Sequence, residues 1–371
     1  MAKRGGAKTR KSFFLKLLVV LILAGFATFL YCADQGVTPV EAVKYLLGQA
    51  DLPQLPDMPQ LPEMPHFGQV ADIGLSGSPS PEPAASPSPE PGAAPGQGPE
   101  SPAGYPTGEI LQKSGMHAYI LDVGQGNCAF LRSPGGQTML IDTGESSYYP
   151  VVDAFLQEQG VERLDVVVAT HPHSDHIGSM AKVIENYEVG AFYLPEKPHT
   201  TVTYEKMLTA LDKKGVETHA AYGGKGAQIP WDPLVTVDIL SPLQGVKYDD
   251  LNNISVVLRI AYGETSVIIT GDAEAYAEEA MLAKLPQSSF PATVLCVGHH
   301  GSSTSTSDAF LQAVSPSLAV ISVGEGNDYG HPSGEVLEKL SRLGVPYFRT
   351  DESGTVHLLL NGKKVLAETE K

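Results

Sequence analysis

The run Ala169-Thr-His-Pro-His-Ser-Asp-His-Ile-Gly-Ser179 places His171, His173, Asp175 and His176 within six residues, directly after the continuous apolar stretch Leu164–Ala169. In an extended segment, residues two apart point the same way, so His171 and His173 can grip one ion. If a helix begins near Asp175, then Asp175 and His176 face a neighbouring point. Imidazole and carboxylate together suit a borderline divalent metal such as zinc, and manganese is also compatible. A lone histidine is ordinarily a surface or core residue; three of them plus an aspartate at a strand end call for a chemical explanation. No Gly-x-Ser-x-Gly elbow accompanies the serine-rich Ser302–Ser307 stretch, which argues against a serine nucleophile. Gly124-Gln-Gly-Asn127 lacks the spacing of a phosphate-cradling loop and reads as a hairpin turn near the site.

These side chains need a scaffold, and the pattern around them supplies one. His117–Val123, Asn127–Arg132 and Gln137–Asp142 read as strands separated by glycine-rich turns. Tyr149–Gln159 reads as a helix and Leu164–Ala169 as a buried strand. Further on, helical patterns at Thr203–Lys214, Ala273–Lys284, Asp308–Val314 and Ser333–Leu343 alternate with strands. Those strands are Leu234–Leu240, Ser255–Ala261, Thr265–Thr270, Val294–Val297, Leu318–Val323, Val345–Phe348 and Thr355–Leu360. A meander followed by alternating strands and helices predicts a layered α/β domain with its sheets covered by helices.

The cluster is the His-x-His-x-Asp-His signature, and in it the chain resembles the metallo-β-lactamase superfamily. The resemblance extends over nearly the whole globular part and implies an αββα sandwich. It assigns Asp142, in Leu140-Ile-Asp-Thr-Gly144, to hydrogen-bonding the metal ligands from behind. It assigns Asp272, in Ile268-Ile-Thr-Gly-Asp-Ala273, to bridging two ions. Leu121-Asp-Val-Gly-Gln-Gly126, Leu251–Arg259, Gly298-His-His-Gly-Ser302 and Asn327-Asp-Tyr-Gly-His-Pro332 are similar to the hydrolase domain of the bacterial ComEC competence family, DNA-uptake channels with a membrane part. The likeness covers the hydrolase domain alone. It implies that His299 or His300 ligates the second ion or contacts a phosphoryl oxygen, and that His331 takes the position of the last ligand. The ligand set so implied is His171, His173, Asp175, His176, Asp272, His299 and His331. Asp175, Asp272 and His300 are implied in catalysis, with Asn253 and Ser255 joining Asp142 in support. Asn127 stands where that family leads one to expect an aspartate. The superfamily's third histidine has no counterpart, and Asn252, Asn253 and Ser255 occupy its place; His199 and His219 lie outside any matching context.

The 371 residues carry 25 basic and 42 acidic side chains, a net charge of −17. A passive nucleic-acid binder, whose footprint is basic, is thereby excluded. Six of the basic residues (Lys3, Arg4, Lys8, Arg10, Lys11 and Lys16) fall in the first 16 positions with no acid among them. The 19 apolar-rich residues Phe13–Tyr31 that follow are long enough to span a bilayer as a helix, and the positive-inside rule orients the N-terminus to the cytoplasm. A signal peptide would end in small residues, whereas Phe29, Leu30 and Tyr31 are bulky. Val37–Gln49 has the spacing of a short amphipathic helix. More than half of the 29 prolines then lie between Pro53 and Pro106, with tandem repeats such as Pro53–Met58 and Pro59–Met64. Such a segment favours extended, polyproline II-like chain, mostly disordered, with a reach on the order of 150 Å. The organisation expected is therefore a basic head (1–12), a transmembrane anchor (13–31), a Pro/Ser/Gly-rich linker (32–107) and a hydrolase domain (108–371). That layout predicts a single-pass cell-membrane protein with the hydrolase domain outside. Three cysteines are too few for a disulfide scaffold.

The leading functional expectation is a metal-dependent hydrolase with two divalent ions, zinc or manganese, cleaving phosphodiesters in DNA. No obligate protein partner is indicated. A hydrolase of small esters, lactones or cell-wall phosphodiesters is the alternative on the same fold, and a non-catalytic surface binding module is the third reading.

Overall fold

The computed structural model describes residues 114–371. The expected basic head, anchor, helix Val37–Gln49 and linker lie outside the described residues, as does the start of the hydrolase domain at 108–113. Among the described residues no helix is long and apolar enough to cross a membrane.

Two sheets face each other. The first contains β1 (Met116–Ile120), β2 (Ala129–Arg132), β3 (Thr138–Ile141), β4 (Arg163–Val168), β5 (Glu188–Leu194), β6 (Glu217–Ala220), β13 (Val356–Leu360) and β14 (Val365–Thr369), in the order β14-β13-β1-β2-β3-β4-β5-β6. The second contains β7 (Val235–Ser241), β8 (Val257–Tyr262), β9 (Thr265–Ile269), β10 (Val294–Cys296), β11 (Leu318–Ile321) and β12 (Tyr347–Arg349), in the order β12-β11-β10-β9-β8-β7. Each sheet begins as an antiparallel meander and continues with parallel strands, from β3 to β6 in the first and from β9 to β12 in the second.

Alternation along the strands produces the layers. Ile120, Leu131, Met139, Ile141, Val166 and Val168 point inward from the first sheet and meet Val237, Ile239, Leu258, Ile260, Val267 and Val320 of the second. The opposite face of the first sheet (Phe130, Leu140, Val167, Phe192) is covered by α1 (Tyr149–Glu158), α2 (Ser174–Ile177), α3 (Met180–Asn186) and α4 (Val202–Lys214). The outer face of the second sheet is covered by α5 (Ala275–Lys284), α6 (Asp308–Val314) and α7 (Gly334–Arg342). This is a mixed α/β sandwich with helices outside both sheets. A short α8 (Thr350–Ser353) precedes β13.

The elements expected from the sequence are present, with ends displaced by a few residues. Five others went unread: α3, β5, β6, α8 and β14. Strand β5 is interrupted in its apolar character by Gly190, while β6 is a polar, largely exposed edge and β14 a half-exposed one, so none shows a long apolar run. Cys128 and Cys296 are both free thiols.

One buried carboxylate ties the second helical layer to the loop at 298–307. Glu278 of α5 is 1% exposed, and its two oxygens accept from Thr306 N (2.6 Å) and Ser307 N (2.8 Å). An amide cannot accept at both atoms. Glu278→Gln is therefore expected to leave one buried N–H unpaired and to cost about 1–3 kcal/mol. At roughly 2–4 °C per kcal/mol for a domain of this size, calorimetry should register a fall in Tm of a few to about ten degrees.

Candidate metal centre

The chain arrives at the centre from the carboxyl ends of strands in both sheets, where crevices of open α/β sheets form. After β4, Ala169 and Thr170 continue from the strand, and the chain bends at His171 and Pro172 rather than running extended as the sequence reading expects. His173 precedes α2 with ψ 152°, and α2 starts at Ser174. Across that bend the two imidazoles still meet, with His171 Nε2 3.0 Å from His173 Nδ1. The first turn of α2 then swings Asp175 and His176 to the adjoining point. Asp272 follows β9, and His299 and His300 follow β10.

Two groups of ligand atoms result. His171, His173 and Asp272 form one; Asp175, His176, Asp272 and His300 form the other. In the second, His176 Nε2 is 3.6 Å from Asp175 Oδ2 and 3.2 Å from Asp272 Oδ1, and His300 Nε2 is 3.2 Å from Asp175 Oδ2 and 3.7 Å from Asp272 Oδ1. The other Asp272 oxygen, Oδ2, is 3.7 Å from His171 Nε2 in the first group. The carboxylate thus shows one oxygen to each group.

The donor set fits a cation. His176 Nε2 and Asp272 Oδ1 are both buried, and neither has a hydrogen-bond partner. Buried polar atoms are normally paired; these two lie 3.2 Å apart without forming a hydrogen bond, an arrangement a shared cation would satisfy. The far side of each ring is occupied as a ligating histidine requires. His176 Nδ1 is 2.7 Å from Asp142 Oδ2, and His300 Nδ1 is 2.9 Å from the Ser322 carbonyl. A carboxylate and a carbonyl only accept, so each Nδ1 carries its hydrogen and each Nε2 faces the ligand group, His300 Nε2 against Asp175 Oδ2 at 3.2 Å. His171 Nδ1 meets the hydroxyls of Thr170 (3.2 Å) and Ser255 (3.3 Å).

Asp142 sits behind the ligands, accepting from Thr170 N (2.8 Å) and Thr170 Oγ1 (2.6 Å) in addition to His176. Ser255 also accepts from Asp272 N at 3.1 Å. Asn253 does not join them. Its amide donates to Glu274 at 3.0 Å and its oxygen accepts from Ala277 N at 3.1 Å, so it fastens the start of α5. Its neighbour Asn252 lines the cleft instead, with Nδ2 3.5 Å from His299 Nε2. His299 and His331 fall outside both ligand groups. His299 Nε2 is 3.8 Å from Asp272 Oδ2, while its Nδ1 is 3.2 Å from Thr304 Oγ1 and 3.4 Å from Glu274 Oε1. His331 lines the cleft and packs edge-on to His299, ring centroids 5.7 Å apart. His199 also lines the cleft, whereas His219 stacks on Tyr193 elsewhere.

Thr170 was not legible as a site residue, although it touches Asp142, His171 and His176 at once. Its only signal was its place between a strand end and the first histidine. Gly126 was read as part of a turn, and its closeness explains the glycine: a Cβ there would meet Asp175 O at 2.5 Å. Asp142, His299 and His300 all have φ between 50° and 58°, a conformation that L side chains with a Cβ adopt at a cost of about 1–3 kcal/mol each.

Charge is distributed unevenly. Burial pushes the His171 imidazole well below its ordinary value, and burial also lowers His173. Burial works against charge on His176 and His300 too, but Asp272 with Asp142 and Asp175 raises His176 well above its ordinary value, and Asp272 with Asp175 raises His300. Burial opposes ionisation of Asp272, yet His176, His300 and His171 hold it well below the carboxylate range, and Asp175 is lowered against burial by His176 and His300. Asp142 is raised by burial, against the pull of His176 and Thr170.

The cleft over these groups has a volume of about 390 Å³, with Gln125 and Asn252 among the residues around its mouth. A larger open groove of about 1180 Å³ runs beside α1 and β13, but neither ligand group faces it. Replacing Asp142 by Asn removes one acceptor and turns an amide towards His176 Nδ1. Competitive metal titration should show affinity falling by about 10–100-fold, with the fold retained by circular dichroism.

A family profile described as "Metallo-beta-lactamase superfamily" matches residues 121–325, more than half of the chain. The chain is 33% identical over 254 residues to ComE operon protein 3 of Bacillus subtilis (strain 168), covering 64% of this chain and 32% of that protein. It is 31% identical over 250 residues to competence protein ComA of Neisseria gonorrhoeae, covering 67% of this chain and 33% of that protein. It therefore spans about a third of the length of these curated relatives. The solved metallo-β-lactamase fold protein YhfI from Bacillus subtilis aligns with 68% of this chain and all of its own, at 13% identity and a TM-score of 0.44. With the His/Asp cluster inside the matched residues, the chain belongs to the metallo-β-lactamase superfamily and has its metal-dependent hydrolase fold.

Proposed function

We propose that the cleft takes two divalent ions, zinc or manganese, and that the protein is a phosphodiesterase acting on DNA. The observation that carries this reading is Asp272, whose two oxygens face separate groups of imidazole and carboxylate ligands. Ions bound there supply Lewis acidity, acidify water and offset the charge that grows on a phosphoryl group. His171 and His173 hold one position, and Asp175, His176 and His300 hold the other. Asp142 and Ser322 orient the imidazoles by their outer nitrogens. Asp175, with a side chain 26% exposed against 3% for Asp272, is the more open of the two carboxylates.

DNA is the substrate class implied by the resemblance to the competence family. The cleft's described lining includes no lysine or arginine, and this favours a second reading, hydrolysis of small esters or lactones on the same centre. The two separate in one assay. Metal-loaded protein should cleave DNA oligonucleotides, and Asp272→Ala should lose on the order of 10²–10³ in kcat/KM, the scale of removing one preorganised electrostatic stabiliser. Turnover of esters with none of DNA by metal-loaded wild type would favour the second reading.

We further propose that residues Phe13–Tyr31 anchor the chain in the cell membrane as a single span, N-terminus inside, with the linker carrying the hydrolase domain outside. Protease added to intact cells should then remove the domain while an N-terminal tag survives; a domain protected until the cells are lysed contradicts that topology.

A further inference from the structure

Tyr329 is 71% exposed, the most open of the large hydrophobic side chains among the described residues, and it lies on the wall of the metal cleft. Single exposed apolar residues are ordinary on a surface. Two observations set this one apart. Its loop is tied shut by one side chain: Asn327 Oδ1 accepts from Tyr329 N (3.2 Å) and His331 N (3.0 Å), while Asn327 Nδ2 donates to the carbonyls of Gly324 (2.9 Å) and His331 (2.7 Å). The ring is therefore presented on fixed backbone. It is also backed by a second ring, since the His331 imidazole lies 24° from parallel with centroids 5.7 Å apart. His331 in turn meets His299, whose Nε2 is 3.8 Å from Asp272. A file of rings leads from the ligand groups to an open aromatic face.

We propose that Tyr329 is a stacking platform for a nucleobase of single-stranded DNA flanking the phosphate being cleaved. This rests on the phosphodiesterase reading above. With no lysine or arginine in the described lining, phosphates flanking the one held at the ion positions meet no side-chain ammonium or guanidinium there. The grip on the strand must then come from a group that is not charged, and every base has a face that stacks on an aromatic ring. A base paired within a duplex has both faces covered and cannot use the platform, so the substrate is an unpaired strand. Grip by stacking also predicts weak salt dependence, with log affinity falling against log salt by about 0.7, the slope of one phosphate contact on a single strand.

The test uses the full-length protein in detergent with Mn²⁺. Cleavage of a thymidine dodecamer is compared with that of an abasic dodecamer of the same backbone, for wild type, Tyr329→Phe and Tyr329→Ala. Wild type and Tyr329→Phe are expected to show a KM about tenfold to a hundredfold lower for the thymidine strand, and Tyr329→Ala to bring the ratio near one, with kcat changed less than KM. An equal KM for both strands in wild type, or a preference that survives in Tyr329→Ala, overturns the platform while leaving the phosphodiesterase reading intact. Failure of wild type to cleave either strand overturns both.

Discussion

The centre depends on one nearly fully buried carboxylate placed among imidazoles. Asp272 is 2% exposed and has His171 on one side and His176 and His300 on the other. Burying a single charge there would be prohibitive, and burying it among cations is tolerable only when geometry is good and remaining hydrogen-bonding positions are filled. That requirement reaches outward. Asp142 compensates His176 from behind, Thr170 satisfies Asp142, and Ser255 links His171 to the backbone of Asp272. The left-handed backbone at Asp142, His299 and His300 is sustained because strands on either side determine where those residues must lie.

Sheet packing makes this possible. The ligands come from both sheets: β4 and α2 in one, the ends of β9 and β10 in the other. Their meeting distance is set by the apolar layer between the sheets, about 10 Å deep in general, in which Ile141, Val168, Leu258, Val267 and Val320 interdigitate. A change in that layer shifts one half of the ligand set against the other. Glu278 does for the 298–307 loop what the core does for the strands, since its two oxygens accept from Thr306 N and Ser307 N.

Legibility in the sequence follows locality. His171, His173, Asp175 and His176 share one strand-to-helix junction, so their nearness follows from spacing alone, although the chain bends at His171 and Pro172 where extended backbone was expected. Asp142 and Asp272 lie 130 residues apart along the chain, and nothing in spacing or composition brings them together; the family resemblance did. Asn253 shows the limit of that route. A residue in the place of a ligand was expected to support the centre, but its short side chain serves α5, and Asn252 faces the cleft. Thr170 escaped notice because a hydroxyl acquires its role only from what surrounds it. The unread strands β5, β6 and β14 lie towards the margins of the first sheet, where one face or edge meets solvent and the apolar signal thins.

Charge shows the same separation between whole chain and site. Residues 108–371 contain 18 basic and 33 acidic side chains, which would repel a polyanion held along its length. A site that engages one phosphate at a time escapes that objection, because the relevant field is local and a bound divalent ion is usually the largest charge nearby. The rest of the acidic surface then acts against extended backbone contact, and against duplex binding in particular. On the phosphodiesterase reading proposed above, a substrate is selected by what it can offer beyond its phosphates, and an unpaired base facing a fixed aromatic ring is an attraction that surface charge does not cancel.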